Sequence, residues 1–87
     1  MTLYGVENHY SLTGDSDVTH LFHTEAEAMA YLMGKFDENA DEQGYVVESI
    51  GWNERDVVSR EEATKNKGFY HDTGEGIDHY RLVKYEI

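Results

Sequence analysis

The densest group of possible metal ligands in this sequence is the acidic stretch DENADEQGYVVE, at residues 37–48. Side-chain oxygens occur at the spacing of EF-hand positions 1, 3, 5 and 12, supplied by Asp37, Asn39, Asp41 and Glu48. An EF-hand also needs glycine at position 6 for its sharp turn, and this sequence has Glu42 there. Glu48 moreover falls in a predicted strand rather than in an exiting helix. We therefore predict that the stretch does not bind calcium.

The five histidines are a second candidate for metal chemistry. His20 and His23 are three residues apart, and on a strand they point to opposite faces. His71 and His79 flank the segment TGEG, where a hairpin could bring them face to face. Two imidazoles would still need a further ligand, such as Asp72, to form a zinc site. We predict no tightly bound divalent metal and no cofactor.

No pattern typical of catalysis occurs in the sequence. It lacks G-x-S-x-G, a glycine-rich phosphate loop and H-E-x-x-H, and GEG at 74–76 indicates a turn. The absence of cysteine excludes a thiol nucleophile and a thiolate metal site. A single domain of 87 residues also has difficulty enclosing a water-free pocket. We predict that the protein is not an enzyme.

The most unusual property of the chain is its charge. Eighteen acidic and seven basic residues give a net charge of −11. Residues 1–54 hold eleven acids and one base, Lys35, for −10, whereas residues 55–87 hold seven acids and six bases, for −1. Such a field repels nucleic acid and anionic membranes and attracts basic proteins, although acidity can also serve solubility alone. Because neither a signal-peptide pattern nor an apolar run of about 18 residues occurs, we expect a cytoplasmic protein.

The first half of the chain predicts a β-hairpin followed by one main helix. Residues 3–10 and 18–23 are typical of strands, and the polar segment SLTGDSD between them indicates a turn. Thr24 and Glu27 form a capping box, which predicts a helix over about 25–43. The apolar stripe of that helix consists of Met29, Leu32, Met33, Phe36 and Ala40.

Further strands are predicted at 45–52, 69–72 and 79–87. Between them, Ser59 and Glu62 form a second capping box, which favours a short helix at about 60–67, whereas Val57 and Val58 would otherwise extend a strand. The resulting order is β-β-α-β-(α)-β-β. It predicts a single α+β domain spanning residues 1–87, in which an antiparallel sheet of about four or five strands packs one main helix on one face.

The end of the predicted main helix carries like charges. Asp37 and Asp41 are four residues apart, as are Glu38 and Glu42, and each such pair repels. These acids also crowd the negative end of the helix dipole, where cations are preferred. The arrangement is either a solvated helix end that tolerates a small cost or a surface whose positive charge comes from a partner.

Exposed aromatic residues are a further candidate for binding. Trp52 lies close in sequence to Glu48, Glu54 and Asp56, and tryptophan surrounded by polar residues is favoured at interfaces. Trp52 could equally belong to the core of a small sheet. The predicted partner-binding residues are Asp37, Glu38, Asp41, Glu42, Glu48, Trp52 and Glu54.

The short length, the absence of cysteine, the ββα start, the helix opening TEAEAMAYL and the acid excess resemble small proteins of phages and mobile elements. Among these are anti-CRISPR proteins and other DNA-mimic inhibitors of host defence. The resemblance implies a stoichiometric protein inhibitor without a cofactor. The six bases after residue 54 suggest that any mimicry is confined to one face.

Two functions are therefore expected. The first is a non-enzymatic inhibitor that binds a basic nucleic-acid-binding protein through carboxylates standing in for phosphates, without touching nucleic acid or membrane itself. The second is a small adaptor that binds a protein partner by a sheet edge or by exposed aromatics, its acidity serving solubility.

Overall fold

The computed structural model describes residues 1–51 and 54–87, so the predicted anchor Trp52 lies outside the described residues. The elements are β1 (Thr2–Tyr10), β2 (Asp15–Phe22), α1 (Glu25–Asn39), β3 (Tyr45–Ile50), β4 (Arg55–Ser59), α2 (Arg60–Asn66), β5 (Gly68–Asp72) and β6 (Ile77–Glu86). This order confirms the α+β class with antiparallel pairing and one main helix.

The strands form two sheets rather than the single predicted sheet. Four antiparallel strands follow the order β2-β1-β6-β5, and β3 pairs with β4 in a separate hairpin. Strand β3 lies beside β5, but no ladder joins the two across the described residues. At one end of this seam the Ile50 amide donates instead to the Asp72 carboxylate, at 3.1 Å.

Helix α1 begins where the capping box predicts and buries the predicted stripe. The Thr24 hydroxyl accepts from the Glu27 amide at 3.2 Å and donates to the Glu27 carboxylate at 2.9 Å, which satisfies one of the amides left free at a helix start. Leu32, Met33 and Phe36 are buried, and Met29 and Ala40 are partly buried against the same core. The opposing sheets contribute Val6, Val46, Val58 and Phe69 to this core.

Helix α1 ends at Asn39, before the predicted end at residue 43. Ala40 already has extended backbone dihedrals, and one carboxylate oxygen of Asp41 accepts from the amides of Gln43 and Tyr45, at 2.9 and 3.0 Å. An aspartate that binds nearby amides offers the backbone an alternative to another helical turn. The loop geometry therefore replaces the last predicted turn of the helix.

The structure contains the predicted short helix, and Val57 and Val58 extend a strand directly before it. Val57 and Val58 belong to β4, and Ser59 then caps α2 by accepting from the Glu62 amide at 3.2 Å. The helix ends at Asn66, and its C-cap Lys67 has a left-handed φ of 54°, one residue before the glycine that would usually take this role.

The hairpins place several acidic residues on strands or beside turns. Strand β2 begins at Asp15 rather than at the predicted residue 18, so Asp15 and Asp17 are strand residues. Their partners on β1 are Tyr10 and Asn8. The turn at 73–76 joins β5 to β6 as predicted, with the Thr73 amide donating to the Gly76 carbonyl at 2.9 Å.

Helix α1 packs on one face of the four-stranded sheet and leaves the other face open. Val6, on the covered face of β1, is 1% exposed, whereas alternate residues of β1, such as Glu7, lie on the helix-free face. Neither helix of the described chain is long and apolar enough to cross a membrane.

Candidate acidic interface

The predicted acids at the end of α1 are exposed, but two of them already have partners. Asp37 accepts from the Arg60 guanidinium at 3.1 Å, and Glu38 pairs with the Lys35 ammonium at 3.4 Å. The hydrogen bond to Glu38 is the main cause of a raised pKa for Lys35. The helix end is thus partly neutralised by the protein's own bases, although exposed pairs of this kind are individually weak.

The remaining predicted acids are not gathered at one place. Asp41 holds its own loop together, and Glu42 beside it is exposed. Glu48 is half-buried on β3 and lines a groove of about 530 Å³ together with Lys67, Arg81 and other residues. Glu54 is exposed just before β4. The predicted interface at these positions stays a prediction.

The charge asymmetry along the chain is partly offset in three dimensions. Three bases from the second half pair with acids from the first half: Arg60 with Asp37, Lys67 with Glu25, and Arg81 with Glu7. The strand register and the helix packing bring these residues together, since Glu7 on β1 lies directly opposite Arg81 on β6. Three of the six bases of residues 55–87 therefore lie against acids of residues 1–54.

The structure instead gathers acids in a hollow at the turn end of the four-stranded sheet. This acidic hollow has a volume of about 570 Å³ and is lined by Asn8, Tyr10, Thr13, Asp15, Asp17, Thr73, Glu75 and Asp78. Four of these residues are acidic, and neither lysine nor arginine is among the described residues that line it. The hollow therefore concentrates negative charge without a basic residue in its lining.

Backbone pairing positions the walls of the acidic hollow. Tyr10 lies between Asp15 on β2 and Asp78 on β6, because β1 pairs with both strands. Ser11 joins the two turns: its amide donates to the Ile77 carbonyl at 2.9 Å, and its hydroxyl accepts from the Ile77 amide at 2.8 Å. The carboxylates of the hollow therefore lie on paired strands or in a turn that these hydrogen bonds hold in place.

The chemistry available to the acidic hollow is that of surface carboxylates. Across the described chain no group of three or more histidine or acidic residues has an arrangement that could hold a metal ion. Carboxylates accept charge-assisted hydrogen bonds from ammonium and guanidinium groups, which suits the hollow to lysine and arginine side chains. The sequence reasoning missed this set because it placed Asp15 and Asp17 in a turn, about 60 residues from Glu75 and Asp78.

The histidines do not form the expected pair across the β5–β6 hairpin. His71 lies opposite Asp78, and His79 lies opposite Tyr70, so the two imidazoles point to opposite faces of the sheet. The prediction that they face each other is wrong, because a register difference of one residue reverses the side-chain direction. His20, on β2, packs instead against the aromatic rings of Phe22 and Tyr31.

His79 lies on the helix-free face, where its ring stacks on Tyr70 with 4.0 Å between ring centroids. Burial lowers the pKa of His79 from its ordinary value near 6.5, and the Arg81 guanidinium lowers it further. His9, directly opposite on β1, acts in the same direction, whereas Glu7 opposes them. The neutral imidazole is thus favoured in the folded protein.

The tyrosines divide between core and surface. Tyr80 stacks on buried Phe69 with 5.1 Å between ring centroids, and burial raises its pKa. Tyr45, Tyr70 and Tyr85 are exposed and lie on different strands. Exposed rings are therefore available for contacts at several places on the described surface.

Comparisons of the chain with protein-family models, with curated proteins and with solved structures find no match. The resemblance to small inhibitors of phages and mobile elements thus stays a prediction. A proposal of function has to rest on the geometry and the charge of the surfaces described above.

Proposed function

We propose that this protein is a non-enzymatic inhibitor that binds a basic nucleic-acid-binding protein, such as a CRISPR effector or another host-defence nuclease. It would act in the cytoplasm, that of the host if the chain is phage-encoded. The observation that carries the proposal is the acidic hollow, in which four acidic residues line one concave surface without a described lysine or arginine.

In this proposal the carboxylates of the acidic hollow stand in for phosphates. A nucleic-acid site uses lysine and arginine to neutralise closely spaced phosphates, and a rigid set of carboxylates meets the same cations. Asp15, Asp17 and Asp78 are on paired strands, so little conformational entropy is lost when a partner docks. The net charge of −11 additionally speeds encounter with a basic surface.

A specific observation favours the adaptor function as a second candidate. Val18, Leu21, Tyr85 and Ile87 are exposed apolar residues that line one groove on the protein. Exposed apolar surface of this kind marks protein-binding sites when it is contiguous. An adaptor that used only this surface would bind its partner with little dependence on salt.

Competition with DNA tests the proposal. A labelled DNA duplex is bound to each of a panel of purified nucleases and repressors, and the protein is added at low and at high salt. The inhibitor function predicts that the protein displaces the duplex from at least one basic protein. A separate titration of the protein with that basic protein should show that high salt weakens their binding. Absence of displacement from every member of the panel would favour the adaptor function.

Two variants with the same loss of charge locate the interface. The first combines Asp15→Asn, Asp17→Asn and Glu75→Gln in the acidic hollow, and the second combines Glu38→Gln, Glu42→Gln and Glu54→Gln at predicted positions. We expect the hollow variant to lose about tenfold or more in affinity and the second variant to lose much less, because local carboxylates contribute more than distant ones. A larger loss in the second variant would move the interface to the positions predicted from the sequence, and equal losses would mean that only total charge matters.

A further inference from the structure

An apolar groove lies on the helix-free face of the sheet, close to the chain termini. It has a volume of about 360 Å³ and is lined by Val18, Leu21, Tyr85, Glu86 and Ile87. Leu21 is 56% exposed and Ile87 is 76% exposed, so these side chains gain little from the protein's own core. A Cβ atom at Gly5 would lie 2.9 Å from Val18 Cγ1, which shows that Val18 lies across the glycine of the neighbouring strand.

One of the strands that line the groove is an edge strand. Strand β2 is the last strand of its sheet and pairs only with β1 among the described elements. Its sequence DSDVTHLF has no lysine, arginine or proline, and its only charged residues are Asp15 and Asp17, which protect the edge against acidic segments but would attract a basic one. The pairing register with β1 shifts between Val18 and Leu21, so the regular part of the edge is Asp15–Val18.

The two faces of this edge differ in chemistry. Asp15 and Asp17 lie on the face that carries the acidic hollow, opposite Tyr10 and Asn8. Val18 lies on the other face, opposite Glu7, and borders the apolar groove. A strand added beside β2 would direct successive side chains alternately to the hollow and to the groove.

We propose that the free edge of β2 is the docking site for an extended segment of a partner protein in which basic and apolar residues alternate. The basic side chains would meet Asp15 and Asp17 on one face, and the apolar side chains would enter the groove at Val18 and Leu21 on the other. Backbone hydrogen bonds to the edge provide affinity, and the alternating side chains provide specificity.

Charge complementarity selects this occupant over a second copy of the chain. Two copies with a net charge of −11 each would repel, and the β2 edge would bring Asp15 and Asp17 of one copy close to the same residues of the other. A basic segment instead supplies the cations that the described lining of the hollow lacks. The inference rests on the proposed function in one respect, the basic character of the partner.

Amide chemical shifts of the isotope-labelled full chain test the proposal with synthetic peptides as probes. The main probe alternates lysine and valine; one control peptide alternates lysine and serine, and another alternates glutamate and valine. We expect the lysine–valine peptide to shift the amides of Asp15–Val18 and to bind about tenfold more tightly than the lysine–serine peptide, because burial of apolar side chains adds affinity.

A groove variant and a matched control complete the test. Leu21→Ser should weaken binding of the lysine–valine peptide by about tenfold. Val57→Ser, at an exposed valine on β4, should leave the affinity unchanged. Thermal unfolding of both variants checks that the fold is intact, which the exposure of the two side chains favours.

The failures of the two proposals give different results. Equal binding of the lysine–valine and lysine–serine peptides would overturn the docking of apolar residues and leave the basic partner in place. If the glutamate–valine peptide bound as tightly as the lysine–valine peptide, the proposal of a basic partner would be wrong. Shifts at Val18 and Leu21 that grow with protein concentration in the absence of peptide would identify a second copy as the occupant and overturn the inference.

Discussion

Asp41 shows how one acidic side chain can serve the fold instead of a partner. Its carboxylate accepts from the Gln43 and Tyr45 amides, and its own carbonyl accepts from the Gly44 amide at 3.0 Å. These hydrogen bonds close the loop between α1 and β3. Charge at this position is therefore less important than an oxygen acceptor.

Two substitutions at Asp41 separate these roles. Asp41→Asn keeps a side-chain oxygen, so we expect the free energy of unfolding to change by no more than about 0.5 kcal/mol. Asp41→Lys removes the acceptor and should lower the free energy of unfolding by about 1–2 kcal/mol. Urea denaturation of the two variants and the wild type measures both effects. Equal stability of the two variants would show that the loop does not need the acceptor.

His79 makes the stability depend on pH. Because its pKa is lowered in the folded protein, chiefly by burial, the unfolded chain binds the proton more readily. His79 therefore lowers the free energy of unfolding as the pH falls below its ordinary pKa near 6.5 and toward the lowered value. His79→Phe keeps a ring beside Tyr70 and removes the titration.

The measurement is the free energy of unfolding at about pH 7.5 and about pH 5.5, for the wild type and His79→Phe. We expect the variant to lose less stability than the wild type between the two pH values. The groups facing His79 are Arg81, Glu7, His9 and the Tyr70 ring. The same loss in both proteins would mean that the imidazole does not contribute in this pH range.

Glycine is required at position 68 because β5 and β6 approach each other closely there, and not because the position follows the end of α2. A Cβ atom at this position would lie 2.6 Å from the Tyr80 carbonyl oxygen, so Gly68→Ala must displace the backbone of β5 or β6. We expect a loss of about 1–3 kcal/mol in the free energy of unfolding. Gly34→Ala is the matched control, because Gly34 has open space around it on α1 and alanine favours helix by about 1 kcal/mol. Opposite signs for the two substitutions are expected in thermal unfolding.

At the scale of elements, α1 stabilises the protein through one buried face. Leu32 and Phe36 are fully buried, and the Phe36 ring meets the Phe69 ring edge-to-face with 5.1 Å between centroids. The helix therefore joins the four-stranded sheet to the rest of the core. Its other face carries Asp37 and Glu38 into solvent.

Substitutions on the two faces of α1 should differ strongly. Leu32→Ala leaves a cavity in the core and should lower the free energy of unfolding by about 2–5 kcal/mol. Glu38→Ala removes only an exposed ion pair with Lys35 and should cost less than about 1 kcal/mol. Denaturant unfolding measures both. A cost for Leu32→Ala as small as that for Glu38→Ala would contradict the packing of α1 described here.

At the scale of the whole molecule, the described surface combines five exposed or partly exposed ion pairs with a large excess of unpaired acids. Exposed pairs contribute little each, whereas the repulsion among carboxylates acts over the entire surface. Self-repulsion should therefore outweigh the ion pairs in the salt dependence of stability.

We expect the free energy of unfolding to rise with added sodium chloride, because salt screens the repulsion. The rise should be smaller for the variant that combines Asp15→Asn, Asp17→Asn and Glu75→Gln, since it removes three negative charges from the acidic hollow. Urea denaturation at low and high salt measures the difference. A decrease in stability with salt would show that the ion pairs dominate instead.

The α+β class and the starts of both helices follow from the sequence alone, because local residue patterns and contacts within a few residues specify them. Thr24 and Ser59 bind amides three residues away, and the stripe from Met29 to Phe36 follows the helical period. The sequence also indicated a strand at Val57 and Val58 and a helix at about 60–67, but only as alternatives.

Which acids share a surface depends on the tertiary structure. The pairing of β1 with both β2 and β6 brings Asp17 and Asp78 to one hollow. The packing of α2 near α1 brings Arg60 into contact with Asp37. Such pairings join residues that are distant in the chain, so neither the net charge nor local residue spacing predicts them. Local residue patterns likewise did not predict the end of α1 at Asn39, because the hydrogen bonds of the Asp41 side chain compete with helical hydrogen bonds of similar strength.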